Sequence, residues 1–242
     1  MKILGLDSSG IVASVAIVED ENLIAEYTVN YKKTHSQTLL PMLDELVKMT
    51  ELDLDTIDAI AVAAGPGSFT GLRIGSATAK GLGLALKKPL VEIPTVDALA
   101  YNLYDSRALI CPIMDARRSQ VYTGIYRFQE HKLVTVEAQM AVPMAEMIEK
   151  LNARGEEVVF LGDGVPVFGK MIQENLKVPY SFAPAHVNKQ RAAAVAALGS
   201  IYYKEGRTQT DVEHVPEYLR VSQAERERAE REKAQKQAGT TV

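Results

Sequence analysis

Six of the chain's 16 glycines fall within "AAGPGSFTGLRIGSATAKGLGLAL" at residues 63–86, and glycine-rich turns ahead of a helix are common material for phosphate cradles. Gly65, Gly67 and Gly71 stand between a strand-like and a helix-like run, and Glu92 ends the next strand-like run. The spacing is G-x-G-x-x-x-G where a dinucleotide fingerprint needs G-x-G-x-x-G, and no Gly-Lys-Ser/Thr makes a Walker loop. Nor is there a G-x-S-x-G turn to present a nucleophilic serine. The same residues also suit packing. Gly67, Gly71, Gly75, Ala79 and Gly83 recur every four residues and form one narrow helical ridge. Each interior glycine costs a helix about 1 kcal/mol relative to alanine, so a close backbone approach must offset it. The ridge serves either the chain's own sheet or a helix of a second protein.

Other residues with chemical potential are scattered. "GLDSSG" places Asp7, Ser8 and Ser9 on a first hairpin, where a phosphate-binding turn fits, although hairpin serines are more often plain turn formers. "ALICPIMD" ends in Asp115, "DARRSQVY" puts Arg117 and Arg118 in a turn, and "LGDGV" places Gly162 and Gly164 after a strand. Arginines at such a turn contact phosphate or are simply solvated. The four histidines, at 35, 131, 186 and 214, show no metal-ligand spacing. Cys111, the single cysteine, reads as a small buried hydrophobe inside a strand.

The elements that must position these residues come in two series. "KILGLDSS", "VASVAIVED" and "LIAEYTVNY" read as a three-strand meander. "THSQTLLPMLDELVKM" has apolar residues at helical period, with Pro41 marking a kink or the true first turn. "IDAIAVAA" is a buried strand, followed by the glycine-rich helix, the strand "PLVEIP" and a helix near "TVDALAYNLY". The order βββαβα then recurs from residue 108. "ALICPIMD", "SQVYTGIYRF" and "KLVTVEAQ" read as strands, "PMAEMIEKLNA" as a helix, "EEVVFLGDG" as a strand and "VPVFGKMIQENL" as a helix; "YSFA" and "NKQRAAAVAALGSIYYKEG" add a strand and a helix. Such a duplication predicts an α/β protein of two lobes, residues 1–104 and 105–220, facing across a cleft with Asp7 and Asp115 near its floor. Residues 221–242 are a charged tail, a frayed helix or disorder.

Composition narrows the classes. A net charge of −4 gives no bulk attraction to nucleic acid, no apolar run reaches the roughly 18 residues of a membrane span, and one cysteine suits a reducing compartment. The chain is expected to be soluble and cytoplasmic.

"DAIAVAAGPGSFTGLRIGSATAKGLGLAL", with "ILGLDSS" before it and "DARRSQVY" and "PEYLR" after, resembles the TsaB (YeaZ) family over residues 1 to about 220. The resemblance implies a duplicated actin/sugar-kinase/Hsp70-like (RNase H-like) fold. It also implies a partner subunit in threonylcarbamoyladenosine synthesis on tRNA, paralogous to the metal-binding transferase TsaD and working with the ATPase TsaE. The paralogue's H-x-x-x-H pair falls on Asp97 and Tyr101, its acidic hairpin pair on Ile11 and Val12, and its glycine-rich second phosphate turn on Ala116 and Arg117. Tyrosine is a poor stand-in for an imidazole ligand. These departures imply a chain with no catalytic residue, no metal and no cofactor, leaving at most a residual nucleotide cleft of Asp7, Ser8, Ser9, Asp115, Arg118, Gly162 and Gly164. The resemblance places the partner interface on the first-lobe helices, at Leu39, Leu43, Leu46, Gly71, Ile74, Gly75, Thr78, Ala79 and Leu82. The partners expected are TsaD, TsaE in a larger complex, tRNA indirectly, and a second copy of the chain when alone. The rival expectation is a working ATP-dependent or glycopeptidase-like enzyme of the same fold.

Overall fold

The structure is a computed structural model that describes residues 1–31 and 33–220; the expectation for the tail lies outside them. β1 (Lys2–Asp7), β2 (Ala13–Glu19) and β3 (Asn22–Val29) form the predicted meander, followed by α1 (His35–Thr50), β4 (Ala59–Gly65), α2 (Phe69–Leu86), β5 (Leu90–Pro94) and α3 (Thr95–Tyr101). The second series is β6 (Leu109–Asp115), β7 (Gln120–Gln129), β8 (Lys132–Pro143), α4 (Met144–Arg154), β9 (Val158–Leu161), α5 (Val165–Asn175), β10 (Tyr180–Phe182) and α6 (Ala192–Lys204).

The two series build two sheets of the same order. The first runs β3-β2-β1-β4-β5 and the second β8-β7-β6-β9-β10. In each, the first three strands pair antiparallel and the fourth and fifth add in parallel. β4 is buried along its whole length, which is why its sequence is a continuous apolar run rather than an alternating one.

α1 and α2 cover one face of the first sheet. Leu39, Met42, Leu43 and Leu46 of α1 are buried against Leu6, Val15, Ile17, Val62 and Ala79. Burial of that order is worth about 1.5–3 kcal/mol per large side chain, enough to carry the helix through Pro41, which sits on its exposed face. Pro41 is therefore not the first turn.

The other face of the first sheet is covered by α6, the last helix of the chain. An added Cβ on Gly5 would lie 2.4 Å from Ala192 O, and one on Gly199 2.5 Å from Ala61 Cβ. These missing side chains let α6 lie directly on β1 and β4. Its N-terminus is held by Ser14 Oγ, which accepts from Ala192 N–H at 2.9 Å, and by Glu26, which accepts from Ala193 N–H and pairs with Arg191. The second series thus closes its helix layer on the first sheet, and α3 in turn packs Val96, Leu99 and Ala100 against Ile110, Met114 and Tyr126 of the second. No helix among the described residues is long and apolar enough to cross a membrane.

Candidate functional site

The glycine ridge of α2 faces inward. An added Cβ would lie 2.3 Å from Ser9 O at Gly67, 2.0 Å from Ser8 O at Gly71 and 2.5 Å from Ser8 Oγ at Gly75. The occupant of the supposed phosphate cradle is the chain's own first hairpin turn. Ser68 N–H donates to Ser9 O at 2.7 Å, and Ser8 Oγ donates to Gly71 O at 2.8 Å. Ser68 Oγ caps the helix by accepting from Gly71 N–H at 3.3 Å.

This corrects the expected interface. Gly71, Gly75 and Ala79 are buried on the sheet side, and Leu39, Leu43 and Leu46 belong to the core. Ile74, Thr78 and Leu82 are half-buried at the edge of that contact. The side of α2 that faces away carries Arg73, Ala77, Gly81, Leu84 and Ala85, all exposed, and α1 adds Leu40 and Met49, which are 52% and 78% exposed. An added Cβ on Gly81 meets nothing within 4 Å.

Between the lobes lies a cleft of ≈ 400 Å³, lined by Ser9, Gly10, Ile11, Gly67 and Ser68 from one side and Asp115, Ala116, Arg117, Tyr122 and Asp163 from the other. The two aspartates do not share its floor equally. Asp7 is 1% exposed behind Ser9, whose N–H and Oγ donate to Asp7 Oδ1 at 2.8 and 2.6 Å, while Asp7 Oδ2 has no partner. Burial pushes the Asp7 carboxyl up to about 6, against the pull of the Ser9 bonds and of His35. His35 Nε2–H donates to Gly10 O at 2.8 Å and fixes the same turn. Asp115 reaches the cleft but is engaged. Its Oδ1 accepts from Arg117 N–H at 2.8 Å and its Oδ2 from the Arg117 guanidinium at 3.1 Å.

The turn at 161–165 is built into the end of β6. Gly164 N–H donates to Ile113 O at 2.9 Å, Gly162 N–H to Asn188 O at 2.8 Å, and Asp163 Oδ1 accepts from Asp115 N–H at 3.1 Å. Burial raises the Asp163 carboxyl above its ordinary value. Ser8, Ser9, Gly162 and Gly164 thus spend these groups on the fold, whereas Arg118 stands exposed.

Asp97 and Tyr101 are taken up in packing. Asp97 accepts from Tyr126 Oη at 2.7 Å and Tyr202 Oη at 3.4 Å, and burial raises its carboxyl. Tyr101 packs against Tyr104 and Phe128. Among the described residues no group of three or more His, Cys, Asp or Glu is placed to hold a metal ion. Burial pushes the Cys111 thiol up to about 12, consistent with an inert core residue.

Sequence reasoning missed a strap formed by residues 207–220. Gln209 exchanges two backbone bonds of 2.9 Å with Leu90, extending the sheet at its edge. His214 is fully buried with Nδ1 2.5 Å from Glu92 Oε1, and Gln209 Nε2 donates to Glu92 Oε2 at 2.9 Å. Burial works against the Glu92 charge, but His214 and the neighbouring donors outweigh it and hold the carboxyl below its ordinary value. Farther on, Glu217 N–H donates to Ala64 O at 2.7 Å, Tyr218 stacks on Phe69 at 4.3 Å, and Arg220 donates to Ala116 O across the cleft. Glu92, the acid after the glycine-rich helix, is the anchor of this strap.

Two sheets of one order, facing across a cleft, define the duplicated RNase H-like fold of the actin and sugar-kinase class. A family model described as "TsaD: tRNA N6-adenosine threonylcarbamoyltransferase" matches residues 22–228. The tRNA threonylcarbamoyladenosine biosynthesis protein TsaB of Bacillus subtilis (strain 168) is 34% identical over 93% of this chain and 96% of its own, and the one of Escherichia coli (strain K12) 29% identical over 91% and 95%. A tRNA N6-adenosine threonylcarbamoyltransferase of Fervidobacterium nodosum is 33% identical, but over 56% of this chain and 45% of its own. Among solved structures, YeaZ from Pseudomonas aeruginosa superposes with a TM-score of 0.77 at 25% identity, covering 90% of this chain and 99% of that one. The chain belongs to the TsaB (YeaZ) family.

Proposed function

We propose that the chain is a non-catalytic subunit in the synthesis of threonylcarbamoyladenosine on tRNA, and that it acts by presenting the outward face of α1 and α2 to a transferase of the TsaD type. The observation that carries the reading is the contrast within the first lobe. The groups that would cradle phosphate are occupied by the hairpin turn, while the opposite side of the same helix exposes Arg73, Ala77, Gly81 and Leu84, and Leu40 and Met49 of α1 are exposed as well. A face of small residues lets a partner helix approach closely, and the apolar residues around it supply contact area. The names and full-length coverage of the TsaB relatives support the pathway. The same face suits a second copy of the chain in the transferase's absence, and an ATPase of the TsaE type would join through the assembled pair.

Nucleoside mass spectrometry of tRNA from cells depleted of the protein tests this. Threonylcarbamoyladenosine is expected to fall, to return with the wild-type chain, and not to return with Gly81→Arg, a variant whose fold the structure leaves intact. Unchanged modification on depletion would overturn the reading.

A further inference from the structure

The turn joining β6 to β7 is unusual in its backbone. Arg117, Arg118 and Ser119 have φ of 64°, 55° and 59°, three consecutive left-handed residues with no glycine among them. Left-handed L residues are strained and persist only where the surroundings over-determine them. Here they do. Arg117 N–H donates to Asp115 Oδ1 at 2.8 Å, Gln120 N–H to Arg117 O at 3.2 Å, Ala116 N–H to Gln120 O at 3.0 Å, Met144 N–H to Ser119 O at 3.1 Å, and Arg220 to Ala116 O. The turn is fixed from four sides, and it holds two arginines out at the lip of the cleft.

The Arg117 side chain is 85% exposed even while pairing with Asp115. Arg118 is exposed and, among the described residues, makes no ion pair. The lip therefore carries Arg117, Arg118 and Arg220 against two acids, Asp115 and Asp163. Half-buried Tyr122 lines the cleft beside Arg117, and Ile11, 53% exposed, faces it from the first lobe. Cations at a lip with an aromatic and an apolar side chain inside are the combination that holds single-stranded nucleic acid, phosphates outside and an unstacked base within.

We propose that this lip contacts the phosphates of single-stranded RNA, such as an exposed tRNA loop, with Tyr122 and Ile11 receiving a base. The inference deepens the proposed role in tRNA modification and rests on it for the choice of RNA. A free mononucleotide offers the same phosphate and base. The lip favours the longer polyanion because its contacts are side chains spread along the rim, while the turn's Ala116, Arg117 and Gln120 N–H groups are already bonded.

The test uses the full chain, a fluorescent anticodon stem-loop RNA and ATP as competitor, at about 50 mM salt and upward. The variants are Arg117→Gly with Arg118→Gly, which removes both charges while suiting the left-handed turn, and Arg118→Lys, which keeps both. Wild type is expected to bind the RNA. The double glycine variant should bind at least about tenfold more weakly, with a salt slope shallower by about 1.4, the value for two lost single-strand phosphate contacts. Arg118→Lys should retain most of the affinity, and ATP should not compete. The proposal is overturned if wild type does not bind, if the glycine variant binds RNA as wild type does, or if ATP displaces the RNA. Pairing with the transferase, measured on the same variants, is expected to be unchanged. Its absence in wild type would count against the proposed function and leave the RNA result standing.

Discussion

Gly75 and Gly81 lie on the same helix, yet an added Cβ meets Ser8 Oγ at 2.5 Å on the first and nothing within 4 Å on the second. The inner glycines are explained within the chain: they admit the turn Ser8–Ser9 so closely that its carbonyls touch the helix axis side of α2. The outer glycine is not. In an exposed helix interior it costs about 1 kcal/mol relative to alanine and returns no contact inside the molecule. A residue costly to its own fold and surrounded by Ala77, Leu84 and Ala85 is where a partner's approach would be accommodated. In the proposed reading, the two faces of α2 separate what folds this protein from what it offers to others.

The largest effect should come from filling the inner face. Gly71→Ala would place a methyl 2.0 Å from a backbone oxygen, and with Ser8 held on both sides the loss should be about 3 kcal/mol or more. Chemical denaturation checks this, and wild-type stability would break the assignment of the inner face.

Next comes the buried carboxyl that the turn conceals. The Asp7 carboxyl is raised from 3.8 to about 6 by burial. The folded chain therefore holds a proton on Asp7 in a window where the unfolded chain has released it, so this group makes stability fall as pH rises from about 4 to about 6. Above that window the cost approaches about 3 kcal/mol. Asp7→Asn should raise neutral-pH stability by up to that amount and flatten the pH dependence in urea titrations. A destabilised Asp7→Asn would show that the charge is supported rather than merely tolerated.

The strap gives a smaller effect. His214→Ala leaves a cavity and strips Glu92 of its closest donor, for about 2 kcal/mol. Hydrogen exchange should report the loss at Leu90 and Gln209 first. The smallest change sharpens the comparison from the outer side: Gly81→Ala should stabilise the isolated chain by about 1 kcal/mol, visible as a raised Tm.

Much of the fold was legible because its signals are local. The meanders, the helical period of α1 and the buried run of β4 each follow from neighbours in sequence, and the repeated element order predicted two sheets. The direction of the glycine ridge was not legible. A four-residue recurrence defines one face of a helix but not what touches it, and the expected interface therefore mixed core residues such as Leu43 and Gly75 with edge residues such as Ile74. The strap escaped notice because its bonds join residues as far apart as Glu92 and His214, in a segment without periodicity. The return of α6 to the first sheet depends on Gly5 meeting the Ala192 backbone and Gly199 meeting the Ala61 side chain, a pairing no single segment reveals. At the cleft, the types Asp7, Ser8 and Ser9 were visible, but only the packed turn shows that Ser9 is bonded to Asp7 and Ser8 to Gly71.

Titration calorimetry of the chain with a TsaD-type transferase, comparing wild type with Gly81→Arg, tests the central claim most directly. The account predicts that Gly81→Arg melts as wild type or slightly higher and shows no heat of binding. A folded Gly81→Arg that binds with wild-type affinity would contradict it.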